Sequence, residues 1–562
     1  MPAPTGPGSG SRASRSSAAP ATIPRPDIGI GLQPIFQSLR SGSISFLGVI
    51  EPWEVWWSKN RDKYLAFRES INWVQIVGGD TTQSVTVDPL YDKLLNALSE
   101  GLLNGDNSSG CISCPAAIAL GKINAIQSRL TPADILKKAV DSKARDCTKN
   151  KVLLGLGLAG DTSSAKLLKE TALNKKEDPL KRSSAVLGLG YMPNDPEIPK
   201  ILRDILSDRD DNEVKSCACI SLGNLKDASA VPLLGNILNL LNRDGKREWP
   251  TLRAYAALGL GRIGAKPALE ELKKSTLTKE KEADVRSAVI IALGMTGRPE
   301  AKDLLIPFLQ DRYPIVRGLA AISLAQIKDA KSYETISAVL QKNKSIEADG
   351  LIIIALGLTG DNRAKADLRK ILEDKKSRQL LKAAAAIGLG LLKDTEAVPT
   401  IVKMLKNEKQ LDDYILTPYL IMSLGMIQDK RGIEPLQAIW EKIAPYNAPL
   451  FGYHTNLAVA LTMLGKRKDL VLPRLIDQIN QSKDILLRSH ALHTLGLVGD
   501  KESARYLVEA SNDKTGYIRF AAINGIGFLL DKNPVNPMAK VISDDIDAQM
   551  KIIDDILQMQ VW

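Results

Sequence analysis

The sequence predicts an all-α protein, an α-solenoid of about thirteen stacked helix pairs, and three regularities predict it. A small-Leu-Gly step recurs at Gly121, Gly157, Gly190, Gly223, Gly261, Gly294, Gly357, Gly390, Gly425, Gly465, Gly496 and Gly527, with Ala325 in the same place. These marks stand on average about 34 residues apart, a period that belongs to paired helices. Eight positions before the mark a basic residue recurs, at Lys149, Arg182, Lys215, Arg253, Arg286, Arg317, Lys382, Arg488 and Arg519. Four positions after it stands Asp161, Asp227, Asp329, Asp361, Asp394, Asp429, Asp469, Asp500 or Asp531. An Asp there caps the next helix through its free N–H groups.

Taken in order, residues 1–45 hold Met-Pro-Ala-Pro-Thr-Gly-Pro-Gly-Ser-Gly-Ser and little that could form a core, so they read as a disordered tail. Residues 46–87 form a Trp-rich segment with Trp53, Trp56, Trp57 and Trp73. Positions 53, 56, 57, 60, 64, 67 and 71 share one helical face, which either caps the open end of the array or forms a docking patch through Trp53, Trp56 and Trp57. The solenoid spans residues 88–540, and a C-terminal capping helix is expected within 541–562. The stretch 284–311 displays the repeat. Val285, Ala288, Val289, Ala292 and Leu293 line one face of a first helix, Gly294 and Gly297 end it, and Ala301, Leu304, Leu305 and Phe308 line a second. Two such helices cannot bury their apolar faces without neighbours of the same kind. At roughly 10 Å per neighbouring helix, thirteen pairs predict an open arc on the order of 120 Å.

Two steps between marks are long, of 38 and 40 residues. The first contains Asn239 to Pro250, with Arg243, Lys246, Arg247 and Trp249; the second contains Ala444 to His454, with Tyr446, Phe451, Tyr453 and His454. Both are read as loops between the helices of a pair, and Trp249, Tyr446, Phe451, Tyr453 and His454 are candidate protein-binding residues.

The segments Val-Arg-Ser-Ala-Val-Ile-Ile-Ala-Leu-Gly at 285–294 and Ile-Arg-Phe-Ala-Ala-Ile-Asn-Gly-Ile-Gly at 518–527 resemble HEAT repeats of the short bacterial, phycobilisome-lyase-like type. The resemblance covers about residues 88–540. It implies that the Arg-bearing helix is the second of each pair and lines the concave side. Residues 53–65 also resemble a head segment that precedes HEAT arrays in some bacterial proteins.

The chemistry-bearing residues are sparse. Cys111 and Cys114 form a Cys-x-x-Cys without a second pair to complete a zinc site, and Cys147, Cys217 and Cys219 sit at helical core positions, so all five read as buried structural thiols. The histidines are His454, His490 and His493, with no His-Glu dipeptide of the kind that holds iron in the HEAT-type deoxyhypusine hydroxylases. Gly-Leu-Gly recurs inside helices rather than after a strand, and neither a Gly-x-Ser-x-Gly elbow nor a phosphate loop is present. No catalytic, cofactor or metal residues are therefore predicted. The basic register is read as a structural ladder (Arg182, Lys215, Arg253, Arg286, Arg317, Lys382, Arg488 and Arg519) bonded to acids or carbonyls in the preceding turn, near Asp178, Asp208, Asp311, Asp374 or Asp513.

The net charge of +11 is modest for 562 residues, and no aromatic interleaves with the ladder, so nucleic acid is disfavoured. No run reaches the 18 or so apolar residues of a membrane span, and the start lacks an apolar signal core. The chain as written reads as cytoplasmic, and as extracytoplasmic if a removed signal lies upstream. The expectation is a non-enzymatic protein-interaction scaffold or adaptor, with a bilin lyase or isomerase, or nucleic-acid binding along a basic concave groove, as alternatives.

Overall fold

The computed structural model describes Trp57 and residues 89–531, with breaks at 106–111, 124–130, 143, 240–247, 278–279, 281, 343–345, 408–414 and 443–450. The tail at 1–45, nearly all of the head at 46–87 and the helix expected within 541–562 lie outside the described residues. Among those residues the fold is an α-solenoid of thirteen two-helix units, each an outer helix followed by an inner one. The inner helices of units 1 to 7 are Ser113–Lys122, Asp146–Ala159, Pro179–Leu189, Asn212–Asn224, Pro250–Ile263, Ala283–Met295 and Pro314–Ile327. In units 8 to 13 they are Ile346–Leu358, Gln379–Leu391, Thr417–Ile427, Phe451–Met463, Ile485–Val498 and Gly516–Leu530.

Helix boundaries follow from local chemistry. Pro179, Pro250 and Pro314 open their inner helices, where a missing N–H costs nothing. The Asp178 carboxylate accepts from the N–H of Leu180 and Lys181, and the Asp484 carboxylate from Leu486 and Leu487. At the far end, the residue three positions after the mark turns left-handed in unit after unit: Gly160, Gly264, Gly297 and Gly360, and also Lys226, Lys328, Lys393 and Gln428. One position further on, the expected Asp caps are formed. Asp227, Asp329, Asp361 and Asp429 accept from the backbone N–H of Ser229, Lys331, Arg363 and Arg431.

The marks are contact points. A Cβ added at Gly157 would stand 2.2 Å from the carbonyl oxygen of Gly188 in the next unit, and one at Gly496 would stand 2.4 Å from the Gly525 Cα. Backbones this close leave no room for a side chain, so glycine is required there for packing. A rule recurs: the mark of one unit meets the residue two before the mark of the next, except at Gly390, which meets Met426, and at Gly223, where Arg262 comes closest. Gly261 meets Ala292, Gly294 meets Ser323 and Gly357 meets Gly388.

That rule corrects one register. Gly425 meets Ala460, which sets the mark of unit 11 at Thr462 rather than Gly465. Gly465 has φ +81° and is the left-handed turn residue, the counterpart of Gly160. The 40-residue step thus becomes 37, and Asp469 falls inside the helical turn Arg467–Val471 instead of capping.

The same rule closes the array. Gly527, the mark of unit 13, meets Ala119 of unit 1, two residues before Gly121. The inner helix of unit 13 packs on that of unit 1, and the outer helix Ala504–Ala510 packs on Pro89–Asn104. Lys122 forms an ion pair with Asp531, both mostly buried, and Ile123 and Asp531 make an antiparallel backbone bridge. The open arc expected from the repeat count is therefore a closed circuit. Units of one period and one packing rule bend by a fixed amount per step, and thirteen steps bring the last surface onto the first.

Candidate interaction surface

The ladder lies within the unit interfaces. The Nε of Arg182 donates to the carbonyl of Ala172 at 3.0 Å, and its two terminal nitrogens donate to the two oxygens of Asp210, both at 2.7 Å. Arginine and carboxylate are each 4% exposed. Burial pushes the Asp210 carboxyl up, but the paired hydrogen bonds from Arg182 outweigh it and hold it below its ordinary value. Arg253 repeats the arrangement with the Leu238 carbonyl and Glu280, and Arg488 with the Ile479 carbonyl and Asp513. Arg286 pairs with Asp311. Arg317 and Arg519 donate to the carbonyls of Asp311 and Asp513 at 2.7 and 2.9 Å.

The expectation of acids in the preceding turn is thus half corrected. The preceding outer helix supplies carbonyls, which its last turn leaves without helical donors. The carboxylates that meet Arg182, Arg253, Arg286 and Arg488 come from the outer-to-inner turn of the following unit, so these four rungs join two units. Lys215 and Lys382 stand half-buried at the same register.

The candidate binding residues scatter. Trp53, Trp56 and Tyr446 lie outside the described residues, as does the side chain of Phe451. Trp57 is helical and 3% exposed. Tyr453 and His454 are buried inside unit 11. With the mark at Thr462, His454 occupies the ladder position of its unit, and its ring meets the fully buried Trp440 edge-on at 5.9 Å between centroids. Burial and the neighbouring His454 push the His490 imidazole down to about 4. His493 packs edge-on against Phe528 across the interface of units 12 and 13, at 5.0 Å between centroids.

Trp249 is different: it is 47% exposed immediately before the inner helix of unit 5. Sequence reasoning missed its companions. Ile415, Ile485 and Leu486 are exposed at the starts of inner helices, and Leu173 and Leu103 at the ends of outer ones. All six therefore border the outer-to-inner turns, which form one rim of the circuit. Their signal was a large apolar residue at the very end of a helix or in the turn beside it, where a polar one is the commoner exposed choice.

Among the cysteines, Cys114 is disulfide-bonded, which corrects its reading as a thiol. Cys147, Cys217 and Cys219 are free; Cys147 is exposed, and burial pushes the Cys219 thiol well above its ordinary value. Among the described residues no three His, Cys, Asp or Glu side chains group as a metal site, and no helix is long and apolar enough to cross a membrane. A shallow groove of mixed character lies beside the outer helix Ile433–Lys442, bordered by Lys430, Ile433, Glu434, Gln437, Ala438 and Glu441.

The family profile of HEAT repeats matches residues 165–248, 246–325 and 303–386, and that of the PBS lyase HEAT-like repeat matches 381–407. Residues 165–407 are therefore HEAT repeats. No curated protein matches its sequence. Among solved structures, human deoxyhypusine hydroxylase in complex with glycerol is 18% identical over 48% of this chain and 99% of its own, with a TM-score of 0.23. The complex of CpcE and CpcF of phycocyanin lyase from Nostoc sp. PCC7120 is 21% identical over 47% and 93%, with a TM-score of 0.29. Kap95p, in a structure describing its binding to RanGDP, is 12% identical over 91% and 66%, with a TM-score of 0.34.

Proposed function

We propose that this protein is a non-enzymatic scaffold or adaptor that holds a protein partner on the rim formed by its outer-to-inner turns. The observation that carries this reading is the gathering of Trp249, Ile415, Ile485, Leu486, Leu173 and Leu103 at those turns. Single exposed apolar residues are ordinary, whereas their concentration on one edge of a repeating structure marks a contact surface. Tryptophan, here Trp249, is also among the residue types that most often anchor a partner. Nucleic acid fits less well, because Arg182, Arg253, Arg286 and Arg488 already hold carboxylates inside the unit interfaces and so present no basic groove.

The test is affinity purification from native cells with the full chain and with a rim variant carrying Trp249→Ala, Ile485→Asp and Leu486→Asp. A partner recovered by the first and lost by the second supports the reading. Equal recovery by both, or a shifted absorption band when bilin is added to the full chain, would overturn it.

A further inference from the structure

Apart from their rungs and a few buried polar groups, the inner helices are apolar around most of their circumference, and one of those sides needs a cover. The mark faces the next unit, and the residue two before it faces the previous one. The residue one before the mark faces the outer helix: Ser332 Oγ donates to the Leu324 carbonyl, and Gly432 lies against Leu424. At about 100° per residue, the residue three before the mark points the opposite way, into the circuit. In units 3 and 5 to 9 these residues are Leu187, Leu258, Ile291, Ile322, Ile354 and Ile387. None is more than 3% exposed. Neighbouring inner helices and an outer helix cover three sides of each inner helix, so burial of the fourth requires a further occupant.

The Trp-rich head is a segment with a complementary need. Trp53, Trp56, Trp57, Tyr64 and Phe67 share one helical face, and such a face must be buried against apolar surface. Capping an open end would have done this, but the ends of the array already cover each other at Gly527 and Ala119. Trp57, the one described residue of the head, is buried. The 31 residues between it and Pro89 could extend on the order of 100 Å, enough to reach any inner helix. The alternative segment, Val541–Trp562, carries Asp544, Asp545, Asp547, Asp554 and Asp555, which an apolar lining accommodates poorly.

We propose that the aromatic face of the head, from Trp53 to Phe67, seats on the apolar lining inside the circuit, so that the chain fills its own interior. The interior is then an internal interface and not a channel for a partner, and the rim is left as the contact surface.

The test places the photo-cross-linker p-benzoylphenylalanine at position 56 of the full chain and maps its adducts by mass spectrometry. The expected result is adducts within one chain to inner-helix residues such as Leu258, Ile291 or Ile322. Adducts to outer helices, to residues 541–562, to a second copy or to the head alone overturn the proposal. Independently, the variant Trp56→Ala/Trp57→Ala should exchange amide hydrogens about ten-fold faster in Ala283–Met295 and Pro314–Ile327 while keeping its helix content. Unchanged exchange there overturns the proposal as well. If this variant fails to fold, the cross-link map of the otherwise native chain still decides.

Discussion

Arg182 and Asp210 show what one rung contributes. Both are buried, so removing the arginine leaves an unpaired carboxylate in a unit interface. Arg182→Met is expected to cost about 3–5 kcal/mol, read from urea unfolding. Arg363, which pairs with Asp361 and Glu334 at the surface, is the control: Arg363→Ala should cost far less than Arg182→Met. The pH dependence has a definite sign. The Asp210 carboxyl titrates below its unfolded value, so its contribution is present above the unfolded pKa and is lost as pH falls through the folded one. The native chain should therefore lose stability in acid more steeply than Arg182→Met. A second residue-scale test concerns the turns. Lys328 has φ +57° where Gly160, Gly264 and Gly360 serve elsewhere, and the left-handed region costs a side chain about 1 kcal/mol. Lys328→Gly is expected to raise stability by about 0.5–1 kcal/mol, and a thermal melt that moves downward would refute the account.

At the scale of the element, the inner helix is the unit of packing, and its mark tolerates nothing larger than hydrogen wherever two backbones touch. Gly157→Val would drive a side chain into the Gly188 carbonyl and separate units 2 and 3, at a cost of at least about 1–3 kcal/mol. The helix pairs, their Asp caps and the basic register were legible in the sequence because each is set by a short spacing within one unit. The misread register was a local ambiguity of the same kind. Gly465 meets the Leu-Gly pattern, but it serves the turn, while Thr462 carries the packing role without a glycine to announce it. Partners across units were not legible. The choice of Asp210 over Asp178 for Arg182 depends on how adjacent units are rotated, which no spacing inside a unit records. The rim was missed for a related reason: Trp249 and Leu486 lie far apart in sequence and share an edge only once the repeats are stacked.

For the whole molecule the decisive property is closure, which no repeat count reveals, since the same unit can build an arc or a circuit depending on a few degrees per step. Closure changes how the array fails. In an open solenoid the terminal units have one neighbour and fray first, whereas units 1 and 13 here each have two. Amide hydrogens in Ser113–Lys122 and Gly516–Leu530 should therefore be as protected as those of unit 6. The contact that secures this joins residues 409 positions apart, Lys122 and Asp531, and lysine is rare one residue after the mark elsewhere. Asp531→Asn leaves the shape of the side chain and removes its charge, so Lys122 loses its ion pair in a mostly buried site. The expected outcome is selective: exchange quickens in units 1 and 13 while the middle of the array keeps its protection. A zero-length carbodiimide cross-link between Lys122 and Asp531 in the native chain supplies the direct check. Its absence, together with fraying ends in the unmodified protein, would mean that the array is open in solution.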